Sequence, residues 1–454
     1  MGQSAERKLE YLLDNYAPLC LALALIILSL TGVGDVGTAS LVGLILCGVG
    51  LTRGAARADL GVLVPLVVYD LAALASSCAA YGNLVDGYGA MHALFPVLYL
   101  LAACLDGREL RLLRRCCVLW AGAAAAVGIG RFVFQAVVQG FAVRLSGPLG
   151  SPNAMGIFLV VGWFILMYGE EDRQDRTPGL LWLEPVLLTA LALTLSMGSF
   201  AAMAAGVAVL LLEKKRETSW RETVRYICPI LARAVLGMGT GLLVYLAAAR
   251  TSVPWVCLLP LAYGGAAAAC WGAYGRWLNA RPRAALLIAS MGVLVAAAVT
   301  AVRPSAAATF SERLEMMASG LRYLPAKPLW GVGPLQWRLL DLNDGGKYFN
   351  TWHIHNIPLH IGVEMGWIAM TAIVLAGLRG LRRKKPALLR AGTAAFLLHN
   401  LMDTSFFYLS ITALTLTAAG RPESGGRSLS GGAARVLFAL FGVLFLYSLY
   451  FSLR

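Results

Sequence analysis

The sequence predicts an all-α polytopic membrane protein, and three observations predict it. Hydrophobic residues, with glycine left out, make up 59% of the 454 and charged residues 14%, against roughly 45–50% and about 25% in soluble domains. Mean hydropathy is +0.70. Continuous apolar runs recur along the whole chain, most of them close to the ~20 residues a helix needs to cross hydrocarbon. Barrel strands would show short alternating segments instead. A soluble α/β enzyme, a disordered chain and a nucleic-acid-binding domain are excluded. The net charge of +14 belongs, in a membrane protein, to cytoplasmic loops and is no sign of nucleic acid.

Taken in order, the expected spans are 16–34, 37–51, 60–80, 88–105, 116–130, 152–169, 180–195, 199–212, 226–248, 254–272, 284–302, 356–377, 387–402, 404–419 and 434–451. Twelve to fifteen transmembrane helices are therefore expected. Basic residues recur in alternate connections: Arg7 and Lys8, Arg53 and Arg57, Arg108 to Arg115, Lys214 to Arg216, Arg276 to Arg283, and Arg382 to Lys385. The loops between, around Asp35, Gly82 and Ser196, are short and nearly free of lysine and arginine. By the positive-inside rule this puts the N-terminus in the cytoplasm and the long segment 303–355 outside. The chain then divides into N-terminal helices (1–302), a periplasmic or extracellular loop (303–355) and C-terminal helices (356–454) of an inner-membrane protein. No cleavable signal peptide is expected, because a charged leader precedes the first apolar run and no small-residue cleavage site follows.

Nine cysteines occur, nearly all in or beside apolar runs, with no Cys-x-x-Cys pair. An odd count without that spacing points to packing and away from a disulfide framework or thiolate metal site.

The long loop is where chemistry gathers. Loops beyond about 12–15 residues are unusual in compact chains unless functional. Thr309 or Ser311 is placed to cap a helix running through Glu312, Arg313, Met316 and Leu321, which Pro325 and Pro328 stop. Trp330-Gly331-Val332-Gly333-Pro334 reads as a tight turn, with a short helix around Leu335 to Leu340. A polar stretch then leads to His353-Ile354-His355-Asn356, immediately before the next span.

Three of the five histidines, His353, His355 and His360, lie within eight positions. Their spacing lacks a zincin pattern and no cysteine is near, so no metal is expected there. One histidine acting as a base is the better reading, since imidazole takes and returns a proton near neutral pH. A helix starting at about Asn356 would leave free amide donors beside His355 and attract an anion. His92, His360 and His399 are expected inside the bundle. Arginines on the outer side run against the usual charge distribution, and guanidinium holds phosphate oxygens bidentately. Arg131, Arg250 and Arg303 read as headgroup-facing side chains. Arg313 sits mid-helix among Leu314, Met316 and Met317, where it needs an anion. The residues thus imply an outer-face site for a phosphorylated substrate.

The stretch Arg313…Pro328-Leu329-Trp330-Gly331-Val332-Gly333…His353-Ile354-His355-Asn356…Glu364-Met365-Gly366 resembles the signature region of the O-antigen ligase and O-antigen polymerase superfamily. Ser146-Gly147-Pro148…Ser151-Pro152-Asn153 resembles that family's upstream element opening a transmembrane helix. The resemblance implies a GT-C glycosyltransferase fold of class B. It also implies metal-independent transfer, with no cofactor, of a glycan from an undecaprenyl-diphosphate-linked donor to an acceptor hydroxyl on lipid A core or another glycan or lipid acceptor. By the same resemblance His355 activates the acceptor and Arg313 holds the diphosphate. His353, Asn153 and Asn356 fall among the substrate-binding positions. The enzyme is expected to work as a monomer among membrane lipids.

One position departs from the family. A second arginine is usual where this chain reads Ser196-Met197-Gly198-Ser199. Arg144, Arg322 and Arg338, in that order, are the expected replacements. A polymerase extending one lipid-linked glycan with another is the alternative activity. A transporter or flippase is the alternative class, although no paired halves are visible.

Overall fold

The structure, a computed structural model, describes residues 14–454 apart from 55, 173–178, 251–252, 302–303, 383–384 and 420–426. Arg7, Lys8, Arg303, Arg383 and Lys384, used above, lie outside the described residues.

In chain order the helices are α1 (Tyr16–Leu30), α2 (Val36–Leu51), α3 (Leu60–Tyr81), α4 (Gly89–His92), α5 (Leu94–Cys104), α6 (Gly107–Val138), α7 (Pro152–Glu171), α8 (Glu184–Leu193), α9 (Met197–Glu217) and α10 (Trp220–Arg250). They continue with α11 (Leu258–Ala269), α12 (Trp271–Ala280), α13 (Pro282–Ala301), α14 (Pro304–Tyr323), α15 (Trp337–Asn343), α16 (Ile357–Gly380), α17 (Ala387–His399), α18 (Leu409–Leu414) and α19 (Gly431–Ser452). One antiparallel ribbon pairs β1 (Ala56–Ala58) with β2 (Arg427–Leu429). The protein is an all-α polytopic membrane protein.

Among the described residues seven helices, α3, α6, α7, α9, α10, α16 and α19, are long and apolar enough to cross a bilayer, and an eighth span results if the pair bent by 70° around α11 and α12 counts as one. Most other apolar runs form shorter helices, such as Tyr16–Leu30, Val36–Leu51 and Ala387–His399. Against the expected twelve to fifteen, seven or eight candidate spans and several shorter apolar helices stand among the described residues. The reason is local. The run 88–105 is interrupted at Ala93, and 404–419 is divided into a 3-10 turn, a helix and a π-helical turn.

Caps set several starts. Asp35 accepts from the Thr38 N–H at 2.8 Å, Asp59 from Gly61 at 2.9 Å and Asn356 from Leu359 at 3.0 Å, each satisfying an amide the first turn leaves open. Two compact units emerge, interleaved in sequence. The first contains Met1–Cys117, Glu315–Lys385 and Phe406–Arg454. Its buried centre includes Tyr69, Phe95, Trp337, Phe407 and Phe438, and α3 packs along α16 while α2 packs along α19. Gly43 and Gly50 of α2 leave the room that Phe445 and Phe438 occupy, so small residues let these helices approach closely. The second unit contains Val118–Leu314 and Pro386–Ser405, with α17 packed on α7 and α9. Glu184 is its buried ionic hub, taking Arg233 Nε at 2.7 Å, Trp271 Nε1 at 2.7 Å and Trp163 Nε1 at 3.1 Å.

Candidate functional site

In the second unit, two expected substrate residues, Arg144 and Asn153, are linked to Arg313 through Asp403. A 3-10 turn at Gly147–Leu149 and the Ser151 cap bring Asn153 into the first turn of α7. Ser196 caps α9, and its hydroxyl donates to Asn153 Oδ1 at 3.0 Å, so two helix N-termini are tied together. Arg144 is clamped beside them, Nε on Thr194 O and Nη2 on Asn153 Oδ1, both at 2.8 Å. Asn153 Nδ2 then donates to Asp403 Oδ2 at 2.9 Å, and Arg313 Nη2 reaches that same oxygen at 3.0 Å. Arg144 and Arg313 are therefore joined through one asparagine and one aspartate.

Two guanidiniums and one carboxylate are linked here through Asn153, and the N-termini of two long helices add partial positive charge. The centre is net positive. Arg313 Nε is buried and makes no hydrogen bond among the described residues. In the same unit, buried His399 lies 3.4 Å from Ser199 Oγ through Nε2 and 3.1 Å from Ser405 Oγ through Nδ1. Leu195, next to the Ser196 cap, holds a positive φ of 48°, a conformation uncommon in a non-glycine residue and found where surrounding structure enforces it.

The first unit holds the His-x-His element. Asn356 caps α16 as expected, so His355, half-buried, stands at that helix's mouth. The ring of His353 packs against Phe407 at 4.3 Å between centroids and against His360 at 5.1 Å. Burial, with the His360, His355 and His92 imidazoles nearby, holds His353 well below the ordinary imidazole pKa. It is neutral at pH 7. The Ile354 N–H donates to His360 Nδ1 at 3.3 Å, and His360 Nε2 lies 3.2 Å from Glu364 Oε2. His92, His360 and His399 are buried; His92 Nδ1 meets the Tyr69 hydroxyl at 2.6 Å.

The tight turn before this element has a definite task. At Gly366 (φ 87°) α16 leaves helical geometry. The turn fills the break: Val332 N–H donates to Val363 O at 2.8 Å, Gly333 N–H to Glu364 O at 3.0 Å, and Trp367 N–H to Pro328 O at 2.8 Å. Backbone groups freed inside a membrane helix need such partners. A Cβ on Gly331 would collide with the Glu364 backbone, and one on Gly366 with the Leu329 carbonyl. Glu364 closes the knot, its carboxylate accepting from Leu335 N–H at 2.8 Å and Trp337 N–H at 3.2 Å. Leu335 also holds a positive φ, 61°.

The remaining expected residues take other partners. Arg322, on α14 like Arg313, pairs with Asp341 at 2.8 Å. Arg338 lies between Tyr348 and Trp352, its Cζ 4.8 and 4.6 Å from their ring centroids. Arg313 was expected to need an anion, and Asp403 supplies a carboxylate. Sequence reasoning missed Asp403, although an acid at the edge of an apolar run is a signal in itself. Among the described residues, no three His, Cys, Asp or Glu side chains converge so as to hold a metal ion. No known family profile matches the chain, and no curated protein matches it in sequence.

Proposed function

We propose that the protein is a GT-C, class B glycosyltransferase of the O-antigen ligase kind, acting on the outer face of the cytoplasmic membrane. The observation that carries this reading is the Arg144–Asn153–Asp403–Arg313 chain at two helix N-termini. A diphosphate develops charge as its bond to the anomeric carbon breaks, and fixed guanidiniums and helix N-termini neutralise it without reorganisation. In the proposed reaction the acceptor hydroxyl attacks the anomeric carbon and His355 takes its proton. The carbon–oxygen bond to undecaprenyl diphosphate breaks, and the diphosphate leaves on its lipid. Neutral imidazole is the form this requires. Arg144 serves where the family arginine is absent at Met197.

The test is transfer by the purified protein in liposomes holding a defined undecaprenyl-diphosphate glycan, with lipid A core and a second lipid-linked glycan as competing acceptors. Product on lipid A core is expected. Product only on the lipid-linked glycan would make the protein a polymerase, and no transfer to either would end the glycosyltransferase reading. Cysteine at Gly345 is expected to react with an impermeant thiol reagent from outside, and cysteine at Arg216 is not; the reverse would invert the orientation.

A further inference from the structure

We infer that Tyr348, Arg338 and Trp352 form a carbohydrate-binding platform on the long loop, a subsite for a sugar ring of the acceptor glycan; the inference deepens the proposed transfer reaction and rests on it for the word acceptor. Arg338 projects from α15, and its guanidinium lies 4.8 Å from the Tyr348 ring centroid and 4.6 Å from that of Trp352. A guanidinium over an aromatic face holds the ring by the cation–quadrupole attraction. Both rings are thereby fixed in orientation while remaining open, Tyr348 at 62% and Trp352 at 45% exposure. Two large aromatics held by one guanidinium, each with exposed ring area, offer a stacking surface to a ligand ring.

The surroundings select the ligand. Asn343, Asp344, Lys347 and Asn350 are exposed around the two rings in sequence, and Lys347 is held by Glu315 at 2.7 Å. A pyranose offers an apolar C–H face to an aromatic ring and hydroxyls to amides, carboxylates and ammonium groups beside it. A bilayer of anionic headgroups gains little here, because Arg338 and Lys347 are balanced by Asp344 and by Glu315, the partner of Lys347. Position also argues for sugar. Trp352 precedes His355 by three residues, at most ~11 Å along an extended chain, so a ring stacked on Trp352 lies within the reach of one short glycan engaged at His355.

The experiment uses the full chain in nanodiscs, without donor. The probes are the glycans released by mild acid from the native cell's envelope, followed by saturation-transfer NMR and calorimetry, and separately vesicles of phosphatidylglycerol and phosphatidylethanolamine. Wild type is expected to bind at least one glycan fraction. Trp352→Ala and Tyr348→Ala should weaken that binding at least five-fold, with Trp352→Phe retaining most of it and melting temperatures unchanged. No glycan binding by wild type, or equal binding by all variants, overturns the platform; so does a loss confined to vesicle association. Since binding is read without transfer, an inactive wild type that still binds glycan through Trp352 would sink the transfer reading and leave the platform standing.

Discussion

Asp403 and Arg313 stand ninety residues apart in the chain and meet at 3.0 Å, with the carboxylate occupying the position an anionic ligand of that guanidinium would take. The pair is largely withdrawn from solvent, at 14% and 7% side-chain exposure. Removing one member of such a pair strands the other. Arg313→Ala is therefore expected to lower stability by about 3 kcal/mol, the low end for a broken buried pair. Arg313→Lys should keep most of that stability yet lose donor affinity, because the planar fork is gone. Chemical denaturation and binding of an undecaprenyl-diphosphate glycan measure the two effects; wild-type affinity in Arg313→Lys would remove the bidentate role.

Arg144 is the arginine that shares Asn153 with this pair, while Arg322 and Arg338 are engaged elsewhere. Arg144→Ala should weaken donor binding by ten- to a hundred-fold, on the scale of one or two charge-assisted hydrogen bonds. Arg322→Ala and Arg338→Ala should leave donor binding within about two-fold. Equal losses in all three variants would show that the Asn153–Asp403 link does not select the working arginine.

His355 and His353 separate by what surrounds them. His355→Ala should cost on the order of 10²–10⁴ in transfer rate with little change in melting. His353→Phe should keep a larger share of the rate, because the ring's visible work is packing against Phe407. It should also alter the dependence of stability on pH. The folded-state pKa of His353 is depressed, so below the unfolded value of about 6.5 the unfolded chain binds a proton that the folded chain does not. Stability is full above that pH and falls as pH drops through it; in His353→Phe the fall between about pH 6.5 and 5 should be shallower. An unchanged slope would contradict the depressed pKa.

Gly366 and Gly331 both hold positive φ, 87° and 71°, where backbones meet. Alanine at either is expected to cost at least about 3 kcal/mol, from left-handed strain plus displacement of the touching chain. Gly345, also at positive φ but with open space around it, should tolerate alanine at about 1 kcal/mol. Comparable melting of all three variants would argue against the turn being seated in the helix break.

What could be read in the sequence was local. The Asn356 cap, the stop after α14 and the Gly331–Pro334 turn each rest on neighbours a few positions away, and each is present. The run 199–212 extends to α9 (Met197–Glu217) because Lys214, Lys215 and Arg216 are good helix formers that a hydropathy scan discards. The break at Gly366 was not legible, since a glycine in an apolar run reads as a tolerated helix residue. Its hydrogen-bond partners come from a turn earlier in the chain. Asp403 escaped for the same reason: its meaning depends on Arg313 and Asn153, which only the fold brings near. Arg144 was legible through the Ser-Gly-Pro element beside it, whereas the aromatic partners of Arg338 were not.

The way Val332 and Gly333 donate to carbonyls of α16 also orders events during biogenesis. The turn leaves the ribosome before the helix whose broken backbone it completes. Until α16 has been delivered to the bilayer, the Val332 and Gly333 amides lack the Val363 and Glu364 carbonyls they donate to. The loop must therefore wait, solvated and open, for the span behind it. A ribosome stalled before α16 emerges should present residues 328–337 as a protease-sensitive strand, and completion of that single span should close it.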